Sequence, residues 1–276
     1  MSLDERFRLY RSYLERRKSP QTVAVYSYAV KRFIDYLNRS GVDLDRLTLA
    51  DVEGFLSSLR VSDRSLALYS FALASFLEFV GRSDIARLVP VSKFTVREPP
   101  WLPEEAIRRI VDGEKDPMRK ALILIGYELA LRVNEALNLR WEDVDLDGRV
   151  VWVTRLKKKR VERKPKPISK ELAELLSMIP RVCDYVFAAY GGKASRGWHR
   201  MSVETAERIF REAAERAGYK GYSYHVLRHS RATALAEKTG GNIVEMAKIT
   251  DHDDPRSLMV YTHIALSRLR RIAEAK

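Results

Sequence analysis

Apolar residues recur at three- and four-residue steps along most of the chain, a spacing that predicts helices. Ser19-Pro20 opens one of them, because serine caps free backbone N–H groups and proline suits the first helical position. Val23, Tyr26, Val30, Phe33 and Leu37 then line one face, and Gly41 lies just past the end, where helices close on a left-handed residue. Thr48 and Asp51 form a capping pair ahead of Val52, Phe55, Leu56 and Leu59. A third stripe runs through Leu66, Tyr69, Leu73, Phe76, Leu77 and Val80, and a short helix around Tyr10 precedes all three. Residues 1–89 are therefore expected to form a small all-helical bundle.

The periodicity then stops. Pro90, Pro99, Pro100 and Pro103 interrupt the next stretch, and proline blocks helix continuation and stiffens a connection, so 90–103 reads as a linker. A second domain, 104–276, starts with a helix near Glu104 and continues with a helix expected from Pro117 to Leu139. Arg149 to Thr154 is rich in β-branched and aromatic residues and reads as a strand. The basic run Arg155-Leu156-Lys157-Lys158-Lys159-Arg160 follows, and a second strand is expected from Val161 to Ile168, making a hairpin with a cationic tip. Helices are expected at Ser169–Ile179, Ser202–Ala217, Tyr224–Lys238, Ile243–Ile249 and from Ser257 to the end, with Gly218 and Gly240-Gly241 as stops. The fold class is mainly α with a small β-hairpin.

The chain of 276 residues carries a formal net charge of +13, which favours a polyanionic partner such as DNA or RNA. A single cysteine, Cys183, permits neither an intrachain disulfide nor a cysteine-based metal site, and a reducing cytoplasm fits. Apolar runs are too short to cross a bilayer, and the first residues lack the apolar core of a secretion signal, so a cytoplasmic protein without a membrane partner is expected. Gln21 is the only glutamine, and asparagine occurs only at 38, 134, 138 and 242; scarce amides with abundant Glu, Lys and Arg resemble thermophile usage.

The segment Tyr224-His225-Val226-Leu227-Arg228-His229-Ser230-Arg231-Ala232-Thr233 holds the first candidate chemistry. His225 and Arg228, three apart, share one helix face. Imidazole exchanges protons near neutral pH, and guanidinium grips a phosphate with two donors. Alone, such a pair is more often an ordinary surface pair. Arg132, however, lies in an apolar stretch and needs a partner, Glu135, Glu128 or a ligand. The C-terminal region adds Asp251-His252 and then Tyr261, nine residues after His252.

In order and spacing this set resembles the tyrosine recombinase (phage integrase) family, in an Xer-like and possibly archaeal form. The family places an arginine in a G-L-R-x-x-E-like helix, a lysine on a β-hairpin, then H-x-x-R-H-x-x-A-T, then L-G-H, and a tyrosine nine residues beyond that histidine. Leu131-Arg132-Val133-Asn134-Glu135, His225 to Thr233, His252 and Tyr261 match it, and Ser19 to Tyr26 resembles the S-x-x-T-x-x-x-Y of the family's core-binding domain. Two positions depart: Asp251 stands where the family has glycine, and the hairpin lacks G-K-G, leaving Lys157 as the preferred catalytic lysine with Lys158 and Lys159 as competitors.

The resemblance implies a core-binding domain and a catalytic domain forming a C-shaped clamp on double-stranded DNA. Tyr261 would attack the scissile phosphorus to give a 3′-phosphotyrosyl link and a free 5′-hydroxyl. Arg132 and Arg228 would hold the non-bridging oxygens, Lys157 would protonate the leaving oxygen, His225 would take or return the tyrosine proton, and His252 would donate to the phosphate. Glu135 would orient these groups, and His229 would support them from behind. Neither cofactor nor metal is implied. Four protomers would join two DNA sites through a Holliday junction, and the tail, Ile264 to Lys276, would dock on a neighbour or on its own domain. Chromosome-dimer resolution, integration of a mobile element, relaxation of the type IB topoisomerase kind and a DNA-binding module without activity all remain open at this point.

Overall fold

The computed structural model describes residues 2–93, 99–157, 160–191, 197–251, 255–262 and 274; the side chains of Leu156, Lys157, Arg160 and Val161 also lie outside what it describes. Its contacts divide the chain into two units, Met1–Arg97 and Glu98–Lys276. Of the expected linker 90–103, residues 94–98 fall outside the described set.

Five helices build the first unit: α1 (Leu3–Glu15), α2 (Pro20–Ser40), α3 (Leu49–Ser58), α4 (Asp63–Phe79) and the one-turn α5 (Ser83–Ala86). The expected start and stop signals work as chemistry. Ser19 Oγ accepts from Thr22 N, and Gly41 closes α2 at φ 66°, a left-handed conformation that costs glycine little. Thr48 and Asp51 exchange both bonds of a capping box. The stripes face inward onto Tyr10, Leu14, Val30, Phe33, Leu37, Leu73 and Phe76, all fully buried. Arg82 ties the bundle's end, donating to the carbonyls of Leu44 and Leu47.

The second unit orders α6 (Glu104–Asp112), α7 (Pro117–Glu128), α8 (Val133–Leu137), β1 (Val144–Asp145), β2 (Val150–Lys157), β3 (Arg160–Pro167), α9 (Lys170–Ser177), β4 (Ala188–Tyr190), β5 (Trp198–Arg200), α10 (Val203–Arg216), α11 (His225–Lys238) and α12 (Ile243–Thr250). An antiparallel sheet of order β1-β2-β3 covers one side of the helices, and β4-β5 is a second, two-stranded sheet. The β2–β3 register sets Val151 opposite Lys166, Val153 opposite Lys164 and Arg155 opposite Glu162. Opposite residues share a face, so Val151, Val153, Arg155, Lys164 and Lys166 all look the same way.

The helix expected over Pro117–Leu139 is two helices. α7 ends at Glu128, Ala130 sits at φ 51°, and Arg132 is the extended N-cap residue of α8. Breaking the helix frees carbonyls, and buried cations take them: Lys166 Nζ lies 3.4 Å from Leu129 O, and Arg228 Nη1 donates to Ala130 O. The helix expected from Ser257 begins instead as a 3-10 turn, Pro255–Leu258, followed by a helical turn over 259–262. The expected helical tail over 264–276 lies outside the described residues apart from 274.

Candidate active site

Helix α11 carries the centre of the site, and its first turn is anchored from beneath. Tyr224 is fully buried, donates its hydroxyl to Leu122 O at 2.7 Å, and donates its backbone N–H to Glu207 at 2.8 Å. Gly126 of α7 makes room for that ring, because a Cβ there would strike Tyr224 Oη and come within 3.0 Å of Leu227. The anchor leaves His225 exposed and turns Arg228, 2% exposed, into the domain.

Arg228 meets Arg132 through the break between α7 and α8. Its Nη1 donates to Ala130 O, two residues before Arg132, while Nη2 is buried with no hydrogen-bond partner among the described residues. A buried guanidinium donor without a partner costs free energy and suits an incoming anion. Burial pushes the Arg228 guanidinium down to about 10, with Arg132 adding to the shift, so it stays charged at neutral pH. Arg132 is held by Glu135, which accepts from its backbone N and from Nη1, each at 2.9 Å. The Arg132 side chain is still 43% exposed, so the grip leaves donors facing outward.

His225 lies in the field of both arginines. Although the residue is exposed overall, the part of its ring against the domain loses water, and this lowers its pKa first, with Arg228 and Arg132 adding to the shift, so it stays neutral at pH 7. The ring stands edge-on to His229, 4.5 Å between centroids. His229 is pushed down to about 4 by burial and then by His225 and Arg228.

Tyr261 is 3% exposed and packs with Ala232, Leu235 and Ala236 of α11, Met246 of α12 and Leu258. Its hydroxyl hydrogen-bonds to His229 Nδ1, and burial pushes it up to about 12, against the pull of Arg228. With both groups neutral near pH 7, the phenol donates when the imidazole proton sits on Nε2 and accepts when it sits on Nδ1. Sequence reasoning set His229 behind the site, whereas the fold puts it on the hydroxyl of the expected nucleophile. The available signal was its place one turn after His225 on the same helix.

The fold therefore gathers Arg132, His225, Arg228 and Tyr261 from three separate segments. His252, Lys158 and Lys159 lie outside the described residues, as does the side chain of Lys157. Sequence reasoning also missed a group of charges behind Arg132. Arg155, 9% exposed, donates from Nη2 to Glu135 Oε2 at 3.1 Å and from Nη1 to Asp251 O. Lys166 Nζ forms an ion pair with Asp251 Oδ2 at 2.7 Å and donates to Ile249 O. Burial lowers the Lys166 pKa; the same burial opposes ionisation of Asp251, but Lys166, Arg155 and Lys164 outweigh it and lower that pKa too. Asp251 closes α12 at φ 50° and ψ 49°, a left-handed geometry that glycine adopts at least cost.

Among the described residues no helix is long and apolar enough to cross a membrane, and no three His, Cys, Asp or Glu residues are placed to hold a metal ion. Over 93% of its length the chain is 28% identical to the tyrosine recombinase XerA of Thermococcus kodakarensis, covering 89% of that protein. It is 29% identical to XerA of Pyrococcus furiosus, covering 96% of this chain and 91% of that one. Among solved structures, the XerH recombinase bound to difH in a post-cleavage complex superposes with a TM-score of 0.73 at 17% identity, covering 99% of this chain and 84% of that one, a likeness of fold. Residues 3–82 match the N-terminal SAM-like domain of phage integrases. Residues 100–268, more than half the chain, match the phage integrase family, and with the arginines, histidine and tyrosine brought together as described, the chain belongs to that family, as a tyrosine recombinase that cleaves and rejoins DNA.

Proposed function

We propose that this chain is a site-specific recombinase of the Xer kind that breaks one strand at a time through a 3′-phosphotyrosyl link on Tyr261. The observation that carries the reading is the joining of Arg228 to the carbonyl two residues before Arg132, which brings two guanidiniums from distant segments to one place. Two such cations can hold the non-bridging oxygens of one phosphate and stabilise the charge that grows there in the transition state. Tyr261 attacks phosphorus in line and the 5′-oxygen leaves. A hairpin lysine, Lys157 or its neighbours Lys158 and Lys159, protonates that oxygen, and His252 donates to the phosphate. Neutral His225, exposed beside the arginines, accepts the phenolic proton and returns it on reversal. The covalent link conserves bond energy, so a second 5′-hydroxyl can reseal the strand without ATP.

Attack requires the phenol to leave His229 and reach the surface, because its hydroxyl is engaged inside the domain. Both units would contact the duplex, and four protomers would join two sites. The relatives support this assembly: a lambda integrase of similar fold is solved as a tetramer on a Holliday junction, with a TM-score of 0.69 at 18% identity. The long matches to XerA proteins favour chromosome-dimer resolution over integration of a mobile element.

The test is a nicked suicide duplex that traps the covalent intermediate. Wild type is expected to form an SDS-resistant adduct and Tyr261→Phe none; an adduct that survives in the Phe protein would mean another nucleophile. Plasmid relaxation without recombinant or junction products would turn the reading toward a topoisomerase.

A further inference from the structure

Arg155 sits at the middle of a chain of charges that starts at Arg132 and ends at the last turn of α12. One arm of its guanidinium holds Glu135 Oε2, the oxygen that also takes the backbone N–H of Arg132, and the other arm holds Asp251 O. The second carboxylate oxygen of Glu135 grips Arg132 Nη1 at 2.9 Å. Without Arg155, Glu135, 13% exposed, would be held by Arg132 alone, and nothing in this chain of charges would tie the pair to α12. Asp251 is itself fixed: Lys166 and Lys164 reach its carboxylate at 2.7 and 3.4 Å, and Lys166 also ties the carbonyl of Ile249. Arg155 and Lys166, the two buried cations of this chain of charges, face two carboxylates, Glu135 and Asp251, while Arg132 and Lys164 stay partly exposed at its edges. Hydrophobic side chains of similar size would have filled this space without the cost of burying ions. A bridge with one hand on each side of the site is what such ions supply and hydrocarbon cannot.

We propose that Arg155 is a positioning residue for strand cleavage: it locks Glu135, and through it Arg132, to the turn that closes α12. The proposal rests on the recombinase reading of the site. Arg155 touches no reacting atom, so its loss acts through the placement of Arg132. A shift of about 1 Å in a phosphate-holding group slows chemistry by about 10²-fold.

The experiment measures three quantities on the full chain: affinity for the nicked suicide duplex, the single-turnover rate of adduct formation on it, and the melting temperature. Wild type, Arg155→Gln, Arg132→Lys and the double variant are compared. Arg155→Gln is expected to bind the duplex as wild type does while cleaving about 10²-fold more slowly. The double variant is expected to cleave no more slowly than Arg132→Lys alone, because residues acting through one another do not add. A single variant cleaving at the wild-type rate, or a double variant whose loss is the product of the two single losses, overturns the proposal. If Arg155→Gln does not fold, Arg155→Lys carries the test. It keeps a cation in the buried place but reaches only one of the two acceptors, so a wild-type rate there overturns the proposal equally. Absence of any adduct from wild type overturns this inference together with the recombinase reading; normal wild-type cleavage beside unimpaired Arg155 variants overturns this inference alone.

Discussion

In the N-terminal unit the side chains hidden from water are Tyr10, Leu14, Phe33, Leu37, Phe76 and their like, and Ser70 is the one buried serine, threonine or charged residue among those described. In the C-terminal unit Glu114, Asp143, Arg155, Lys166 and Arg228 are buried as well, most of them paired across elements. Both units have well-filled apolar cores, so the charges are not there for want of hydrocarbon. Hydrophobic burial is what holds each unit together, at roughly 25 cal/mol per Å². The buried charges of the second unit cost desolvation and return placement: they fix where guanidiniums and carboxylates sit. Comparing the two shows which parts of the molecule hold a fold and which hold a geometry.

Substitutions can break or sharpen that contrast. Phe33 of α2 is fully buried, with its ring 5.2 Å from that of Phe55. Phe33→Ala is expected to cost about 3–5 kcal/mol of stability of the N-terminal unit, read by urea denaturation, and to leave the pH profile of cleavage unmoved. Arg228→Met should show the reverse pattern. Cleavage on the suicide duplex is expected to fall about 10²–10³-fold. Stability is expected to change by no more than about 1 kcal/mol, because a buried charge goes while Ala130 O loses its donor. A large loss of stability there would mean that the buried arginine holds the fold rather than the phosphate.

The smallest effect comes from protons. His229, at about 4 in the folded chain, binds fewer protons than the unfolded chain does between its ordinary value near 6.5 and 4. Its contribution is therefore complete above about pH 6.5, is lost as the pH falls through that window, and is level below 4. The loss from this group is expected at about 1–3 kcal/mol, and the lowered pKa of His225 adds to it with the same sign. Melting curves of wild type and His229→Asn over pH 4–7 check this: the variant should show a shallower acid slope.

Much of this was legible in the sequence, and the exceptions have a common cause. The helices of the first unit announce themselves through local chemistry: Ser19 and Thr48 cap, Gly41 stops, and the stripes point inward. The spacing of His225, Arg228 and Tyr261 is likewise written in the chain. The break at Ala130 was not, because apolar periodicity runs on through it, and only the distant donors Arg228 and Lys166 satisfy the carbonyls it releases. From the sequence, Arg155 belongs to the basic run at the hairpin tip, and Lys164 and Lys166 lie in the expected second strand. Their burial state depends on Glu135 and Asp251, 20 and 87 residues away for the contacts of Arg155 with Glu135 and of Lys164 with Asp251. Local propensity sees a residue's neighbours along the chain and is blind to the partner that decides whether a charge is sheltered.

The seating of the Tyr261 phenol has a practical meaning for an enzyme that must travel among a vast number of identical linkages. On the proposed mechanism, a Tyr261 hydroxyl bonded to His229 and walled in by Leu235, Met246 and Leu258 would not nick whatever strand happens to pass. Such a molecule would be safe by default, and every productive cut would carry, on top of the chemical barrier, the free energy of drawing one ring out of its sheath.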